Sequence, residues 1–97
     1  MSAFFVSRIT VRNPDKLQEY GQAAGPTLAA FGAKVLVKGK IAKALLGDAD
    51  SHVTSIVEFP TLDALNAWFV SPEYQALTGL RNSVGEMEFL AYEAPPA

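Results

Sequence analysis

The sequence predicts an α+β domain in which four antiparallel strands form one sheet and helices cover one of its faces. Three observations carry this expectation. Four short runs alternate side chains at a period of two, and two stretches between them switch to spacings of three and four. Capping residues stand where the period changes. A chain of 97 residues holds one domain, taken here as residues 1–97 with a loose tail at 93–97.

The first strand is Ala3 to Val11. Phe5, Ser7, Ile9 and Val11 point to one face, and Phe4, Val6, Arg8 and Thr10 to the other. Asn13 then caps a helix, with Pro14 at its first position and Asp15 beside the positive end of its dipole. Leu17, Tyr20, Ala24, Leu28 and Phe31 make its buried stripe. Gly25-Pro26 predicts a kink or restart, because proline removes a backbone donor. Gly32 is the expected stop.

A second strand follows in AKVLVKG, with Val35 and Val37 alternating against Lys34, Leu36 and Lys38. Gly39 to Ser51 is a long connection that turns at Gly47-Asp48. In the third strand, HVTSIVEF, Val53, Ser55, Val57 and Phe59 oppose Thr54, Ile56 and Glu58. Pro60 ends it, and Thr61 caps a helix carrying Leu62, Leu65 and Trp68. Ser71 caps a second short helix with Pro72 first and Glu73 beside the dipole. The fourth strand, EMEFLAYE, sets Met87, Phe89 and Ala91 against Glu88, Leu90 and Tyr92.

This order, strand-helix-strand-strand-helix-strand, is the split plan of ferredoxin-like folds. Helices on one face leave the other bare, and that face carries Val6, Ile56 and Leu90. Hydrophobic residues make up 49% of the chain and charged residues 19%, a large apolar share for a domain with so much surface. Packing two such sheets together solves both problems, with a buried area above roughly 2,000 Å². A homodimer is expected.

The net charge of −2 and pI near 5.2 argue against a nucleic-acid partner. Without cysteine there is no disulfide framework and no thiolate site. Arg8 interrupts the first apolar run, which reads as a strand and not a signal peptide. No stretch approaches the roughly 18 apolar residues of a membrane span, so a cytoplasmic protein is expected.

The runs NPDKLQEYGQAAGPTLAAFGAKVLVKG and VEFPTLDALNAWFVSPEYQALTGLR closely resemble the uncharacterised DUF-thirteen-thirty family of bacterial proteins. The likeness spans Phe5 to about Tyr92, and its most specific piece is Trp68, Ser71-Pro72-Glu73-Tyr74 and Arg81. Tyr20, Gly32 and Glu58-Phe59-Pro60 support it. The family commonly has Arg-Gly-Gly where this chain has Lys38-Gly39-Lys40. The resemblance implies the dimeric α/β-barrel superfamily, but no assigned reaction. Similar barrels include quinol-oxidising monooxygenases and muconolactone-type isomerases, and their Asn and Trp near the second helix are loosely echoed by Asn66 and Trp68.

Tyr20, Trp68, Tyr74 and Arg81 form the candidate ligand-binding set. If one short helix carries Tyr74 and Arg81, they share its face two turns apart, roughly 10.5 Å. An arginine can pair a carboxylate while rings stack on a flat acidic or quinone-like ligand. The competing reading has the aromatics packing a helix corner and Arg81 stabilising the end of its own helix.

Arg8, Thr54, Glu58 and Glu88 form a dimer-facing polar set. They read either as an ion-pair network fixing the dimer's register or as the surroundings of a buried general base. His52 is the sole histidine, so no metal site is expected. The sequence offers no nucleophile motif, names no catalytic residue and implies no cofactor. Three readings remain: a small-molecule binding dimer, a cofactor-independent monooxygenase or isomerase, and an accessory protein-interaction dimer.

Overall fold

The computed structural model describes residues 2–95. Its elements are β1 (Ala3–Val11), α1 (Pro14–Ala29), β2 (Lys34–Lys40), β3 (Val53–Phe59), α2 (Leu62–Phe69), α3 (Pro72–Gln75), α4 (Thr78–Val84) and β4 (Gly85–Glu93). The strands form one antiparallel sheet in the order β2-β3-β1-β4. This is the predicted α+β, ferredoxin-like arrangement. Ala94 N donates to Ser2 O at 2.9 Å, which ties the chain just past β4 to the sheet. Pro95 of the predicted tail is exposed, and Pro96 and Ala97 lie outside the described residues. Among the described residues, no helix is long and apolar enough to cross a membrane.

Alternation in β1 decides which face meets the helices. Ala3, Phe5, Ser7 and Ile9 are buried and join Tyr20, Ala24, Val57, Phe59, Leu65, Trp68, Tyr74 and Val84 in the core. Leu17, Leu28 and Phe31 complete the stripe of α1 against it. The caps work as the sequence predicts: Asn13 Oδ1 accepts from Lys16 N at 3.2 Å, and Thr61 Oγ1 from Ala64 N at 3.1 Å. At the end of α1, Gly32 takes φ 74 while its N–H donates to Ala29 O and Ala33 N to Leu28 O. Those two bonds are the Schellman pattern, and a left-handed residue makes them.

The opposite face is legible as rows across the strands. Val37, Ile56, Val6 and Leu90 are successive partners across all four. Beside them run Lys34, Glu58, Phe4 and Tyr92 in one row and Gly39, Thr54, Arg8 and Glu88 in another. Phe4 and Tyr92 stack at 5.3 Å. Leu90 stays 54% exposed and Val37 51%, so the protomer leaves this apolar strip uncovered.

Of three local expectations, the first is narrowed and two are corrected. Gly25-Pro26 does not restart α1, because Pro26 lies in its last full turns and Ala30 N still reaches Pro26 O at 3.2 Å. The donor that proline lacks would point at Gln22 O, and both Gln22 and Pro26 are exposed. In β2 the register shifts between Val35 and Val37. Val35 therefore pairs with Val57 on the helix face, Val37 with Ile56 on the open face, and Lys38 with Ser55 on the helix face again. Simple alternation had put both valines on one side. Finally, Tyr74 and Arg81 do not share a helix, since α3 ends at Gln75 and α4 begins at Thr78.

Candidate functional site

The run from Trp68 to Arg81 builds a corner in which each polar atom fixes the next. Ser71, 5% exposed, donates through Oγ to Trp68 O at 2.7 Å and accepts from Tyr74 N at 3.3 Å. One hydroxyl thus closes α2 and opens α3. Pro72 at the first position of α3 needs no donor there. The result turns Trp68 and Tyr74 inward together, each 1% exposed, with ring centroids 4.1 Å apart.

Trp68 also stacks on Phe5 at 5.4 Å with planes 7° apart, and Phe5 stacks on Phe89 at 4.9 Å. The indole N–H would be an unpaired donor in this apolar layer, but Thr27 Oγ1 of α1 accepts it at 3.0 Å. Thr27 in turn donates to Ala24 O at 2.7 Å. Sequence reasoning missed Thr27, which stands 41 residues from its partner. Its only signal was a polar residue one turn beyond Ala24.

Between α1 and the sheet lies a cavity of about 690 Å³. Phe5, Ile9, Leu17, Tyr20, Ala24, Leu28, Val35, Val53, Val57, Trp68 and Phe89 give it an apolar wall. Lys38, Ser55 and Gln18 are among its polar lining residues. Lys38 belongs to that set because the β2 irregularity returns it to the helix face. Ser55 is held by Ser7, whose Oγ lies 2.6 Å from Ser55 Oγ and accepts from Ser55 N at 2.9 Å.

The four candidate ligand residues are joined, but not around one void. Tyr20 and Trp68 line the large cavity. Tyr74 sits behind them, its hydroxyl 2.6 Å from that of Tyr20. Arg81 lines a second pocket of about 280 Å³ with Phe69, Asn82, Gly85, Met87 and Phe89. Its Nη1 donates to Tyr74 Oη at 3.4 Å, and its guanidinium carbon lies 5.6 Å from the Tyr74 ring and 5.8 Å from that of Phe69. Burial, helped by the bond to Tyr74, pushes the Tyr20 phenol well above the usual tyrosine range, so it keeps its proton.

The open-face polar set is placed side by side by the register: Arg8 faces Thr54 on one neighbour and Glu88 on the other, and Glu58 faces Phe4. Thr54 Oγ1 is already used, donating to Ser7 O at 2.6 Å. Ion pairs among the described residues are Arg12–Glu86 at 2.6 Å and Lys16–Glu19 at 3.3 Å, and neither involves this set. His52 Nδ1 pairs with Asp50 O at 2.7 Å. Among the described residues, no three His, Cys, Asp or Glu side chains come together as a metal site would need.

The domain of unknown function DUF1330 matches over residues 2–95. The chain belongs to that family. No curated protein matches it. Among solved structures it is similar to a protein of unknown function from Rhodopseudomonas palustris, at TM-score 0.80 and 20% identity, covering 99% of this chain and 84% of that one. It is similar to a dimeric ferredoxin-like protein of unknown function from Jannaschia sp. CCS1, at TM-score 0.74 and 11% identity over 97% and 100% of the two chains. It is also similar to SnoaB, a cofactor-independent oxygenase from Streptomyces nogalater, at TM-score 0.70 and 15% identity over 99% and 95%. At these identities the likeness establishes the fold.

Proposed function

We propose that this protein is a homodimeric small-molecule binding domain that takes an aromatic or acidic ligand in the cavity between α1 and the sheet. The observation that carries the reading is the cavity itself, about 690 Å³ with an aromatic and aliphatic wall. Drug-sized ligands occupy pockets of roughly 300–1,000 Å³ with a few polar groups among apolar ones. Phe89, half-buried, can meet a flat ligand while Phe5 and Trp68 stack on one another in the wall, and Lys38 offers a cation to an acidic group.

The sheet's open face supports the homodimer. The strip Val37–Ile56–Val6–Leu90 crosses every strand, and the similar ferredoxin-like protein from Jannaschia is dimeric. Light scattering at micromolar concentration is expected to give twice 10.4 kDa. Val6→Asp sets a carboxylate in the middle of that strip and is expected to yield folded monomer. A wild-type monomer, or an unperturbed dimer in the variant, would remove the sheet-face interface.

The oxygenase-like reading is kept as the alternative, because the SnoaB fold is shared. Proton-transfer catalysis needs an acid or base within reach of substrate. Of the cavity's titratable groups, Tyr20 holds its proton too firmly to serve as a base. Asn66, the residue that echoed the enzymes, is exposed and lines neither pocket. An accessory role would find its best support in Leu45 and Leu46, 89% and 97% exposed in the loop between β2 and β3. A filled core would suit that role better than the open cavity found.

The binding reading is tested by a thermal-shift screen of aromatic acids, lactones and quinols, repeated on Ala24→Phe. Ala24 is buried on α1 and lines the cavity, so the added ring fills it. Hits are expected to stabilise wild type and to lose at least about tenfold in affinity in the variant, the scale of an overlap costing about 1.4 kcal/mol. No hit, or hits indifferent to the variant, would count against the cavity.

A further inference from the structure

Arg81 is a half-buried cation that has no anion among the described residues. The ion pairs found there, Arg12–Glu86 and Lys16–Glu19, do not reach it. A guanidinium carries five N–H donors. One bond from them is made among the described residues, from Nη1 to Tyr74 Oη at 3.4 Å. The group is nonetheless held in place. Its carbon lies 5.6 Å from the Tyr74 ring centroid and 5.8 Å from that of Phe69, and those two rings are 5.7 Å apart. Both aromatics precede α4, as expected for a side chain that leans toward the start of its own helix. A cation offsets the helix dipole at the carbonyl end instead, and there Val84 O already accepts from Arg12 N and Asn13 N. Stabilising its own helix end therefore does not account for where Arg81 sits.

The pocket of about 280 Å³ beside it lies between the end of α2, α4 and β4. Phe69, over whose ring the guanidinium sits, is one of its walls, and Met87 and Phe89 are others. Asn82 brings an exposed amide, and no acidic residue lines the space. Phe89 also lines the larger cavity, so the two voids share a wall and are separate spaces. A cation, two aromatic walls and a thioether thus meet in one small pocket with no acid to neutralise the charge.

We propose that this pocket is a second binding site, for a small aryl carboxylate whose carboxylate pairs with Arg81 while its ring packs against Phe69 and Met87. A guanidinium donates in its own plane, so its attraction to a ring face leaves the fork to a carboxylate. Phe69 stays 38% exposed, which leaves ring surface for a ligand to cover. Met87 is half-buried, and a thioether packs well against an aromatic edge. The volume sets the size of the guest. At about 280 Å³ the pocket falls just below the roughly 300–1,000 Å³ of drug-sized sites, so one ring and its acid group suit it. This site goes beyond the proposed function and does not need a ligand in the α1 cavity.

The test titrates the ¹⁵N-labelled full chain with benzoate, benzamide and acetate at low ionic strength, in a buffer free of other carboxylates. Benzoate is expected to shift the amides of Phe69, Arg81, Asn82 and Met87 most. It should bind at least about tenfold more tightly than benzamide, which lacks the charge. Acetate lacks the ring and should be weaker than benzoate by at least about tenfold. Arg81→Gln should bind benzoate no better than benzamide. Arg81→Lys keeps the charge without the fork and should weaken benzoate by at least about threefold; it decides the matter if Arg81→Gln does not fold. Ala24→Phe fills the α1 cavity and should leave the benzoate constant within about twofold of wild type. No binding of benzoate, equal binding of benzamide or acetate, or shifts centred away from Arg81 would overturn the site. So would benzoate binding undiminished in the Arg81 variants. Loss of benzoate in Ala24→Phe would place the ligand in the α1 cavity and remove the second site. None of these failures touches the α1-cavity reading, which has its own screen.

Discussion

Trp68→Ala is expected to lose about 3–5 kcal/mol of stability, the range for truncating a buried aromatic. Small domains are stable by only about 5–15 kcal/mol in total, so the variant would be near the edge of folding at ambient temperature. The size of the effect follows from what the ring touches. Trp68 is 1% exposed and packs against Phe5, Phe59, Tyr74 and Phe89, with centroids between 4.1 and 6.5 Å away. Alanine would forfeit these contacts at once and leave Thr27 Oγ1 without the indole donor it accepts at 3.0 Å. The lost volume would also merge with the cavity that Trp68 already walls. Urea unfolding of both proteins, at matched protomer concentration, reads the difference. As the sole tryptophan, Trp68 also reports on itself, and native emission should be blue-shifted. Water-like emission with a loss under about 1 kcal/mol would contradict the buried corner.

The same residue shows how far the sequence could be read. Thr61 and Ser71 as caps, Leu62, Leu65 and Trp68 at helical spacing, and Pro72 at a helix start are all short-range signals, and α2 and α3 sit where those signals place them. The phase of β1 was equally legible, because a strand must send alternate residues to opposite faces. From Val6, Ile56 and Leu90 one could foresee an uncovered apolar strip before any pairing was known. What could not be read was anything decided by contact at long range. The Tyr20–Tyr74 bond joins residues 54 apart, and the indole bond to Thr27 joins residues 41 apart. Neither leaves a local pattern.

The failures have a common cause as well. The β2 irregularity answers to β3, not to the alternation within KVLVK, so Val37 and Lys38 exchanged faces relative to expectation. That one slip decides which residue meets the cavity and which joins the open face. An unbroken helix from Ser71 puts Arg81 on the face of Tyr74, whereas Leu77 at φ −91, ψ 4 separates α3 from α4. The break changes the route by which Arg81 reaches Tyr74. It also leaves Arg81 beside a different void. The sequence named the participants of the candidate site, while their order along a hydrogen-bond chain needed the fold.

Gly85→Ala is expected to cost at least about 3 kcal/mol, although it adds a single methyl group. Gly85 takes φ 152, ψ −150, a region essentially closed to side chains and worth about 1–3 kcal/mol of strain by itself. Space makes matters worse. A Cβ there would stand 1.9 Å from Thr10 O and 3.1 Å from Arg12 N, both backbone atoms of the neighbouring chain segment. Relief requires β4 to move away from β1 at the point where Gly85 pairs with Val11 and Val84 O accepts from Arg12 N at 2.8 Å. Those bonds join α4 and β4 to the end of β1 and the start of α1, so the displacement would spread to the elements that carry Arg81 and Tyr20. Gly79→Ala is the matched control. A Cβ at Gly79 meets nothing within 4 Å, and alanine in the helix α4 should be neutral or stabilising by up to about 1 kcal/mol. Urea midpoints of the two variants should therefore move in opposite directions or differ widely. If Gly85→Ala unfolds where Gly79→Ala does, the close approach of β4 to Thr10 is not part of the native structure. If instead Gly85→Ala folds but is weakened as expected, the glycine is there for the backbone, and its place beside Arg81 in the smaller pocket follows from that geometry.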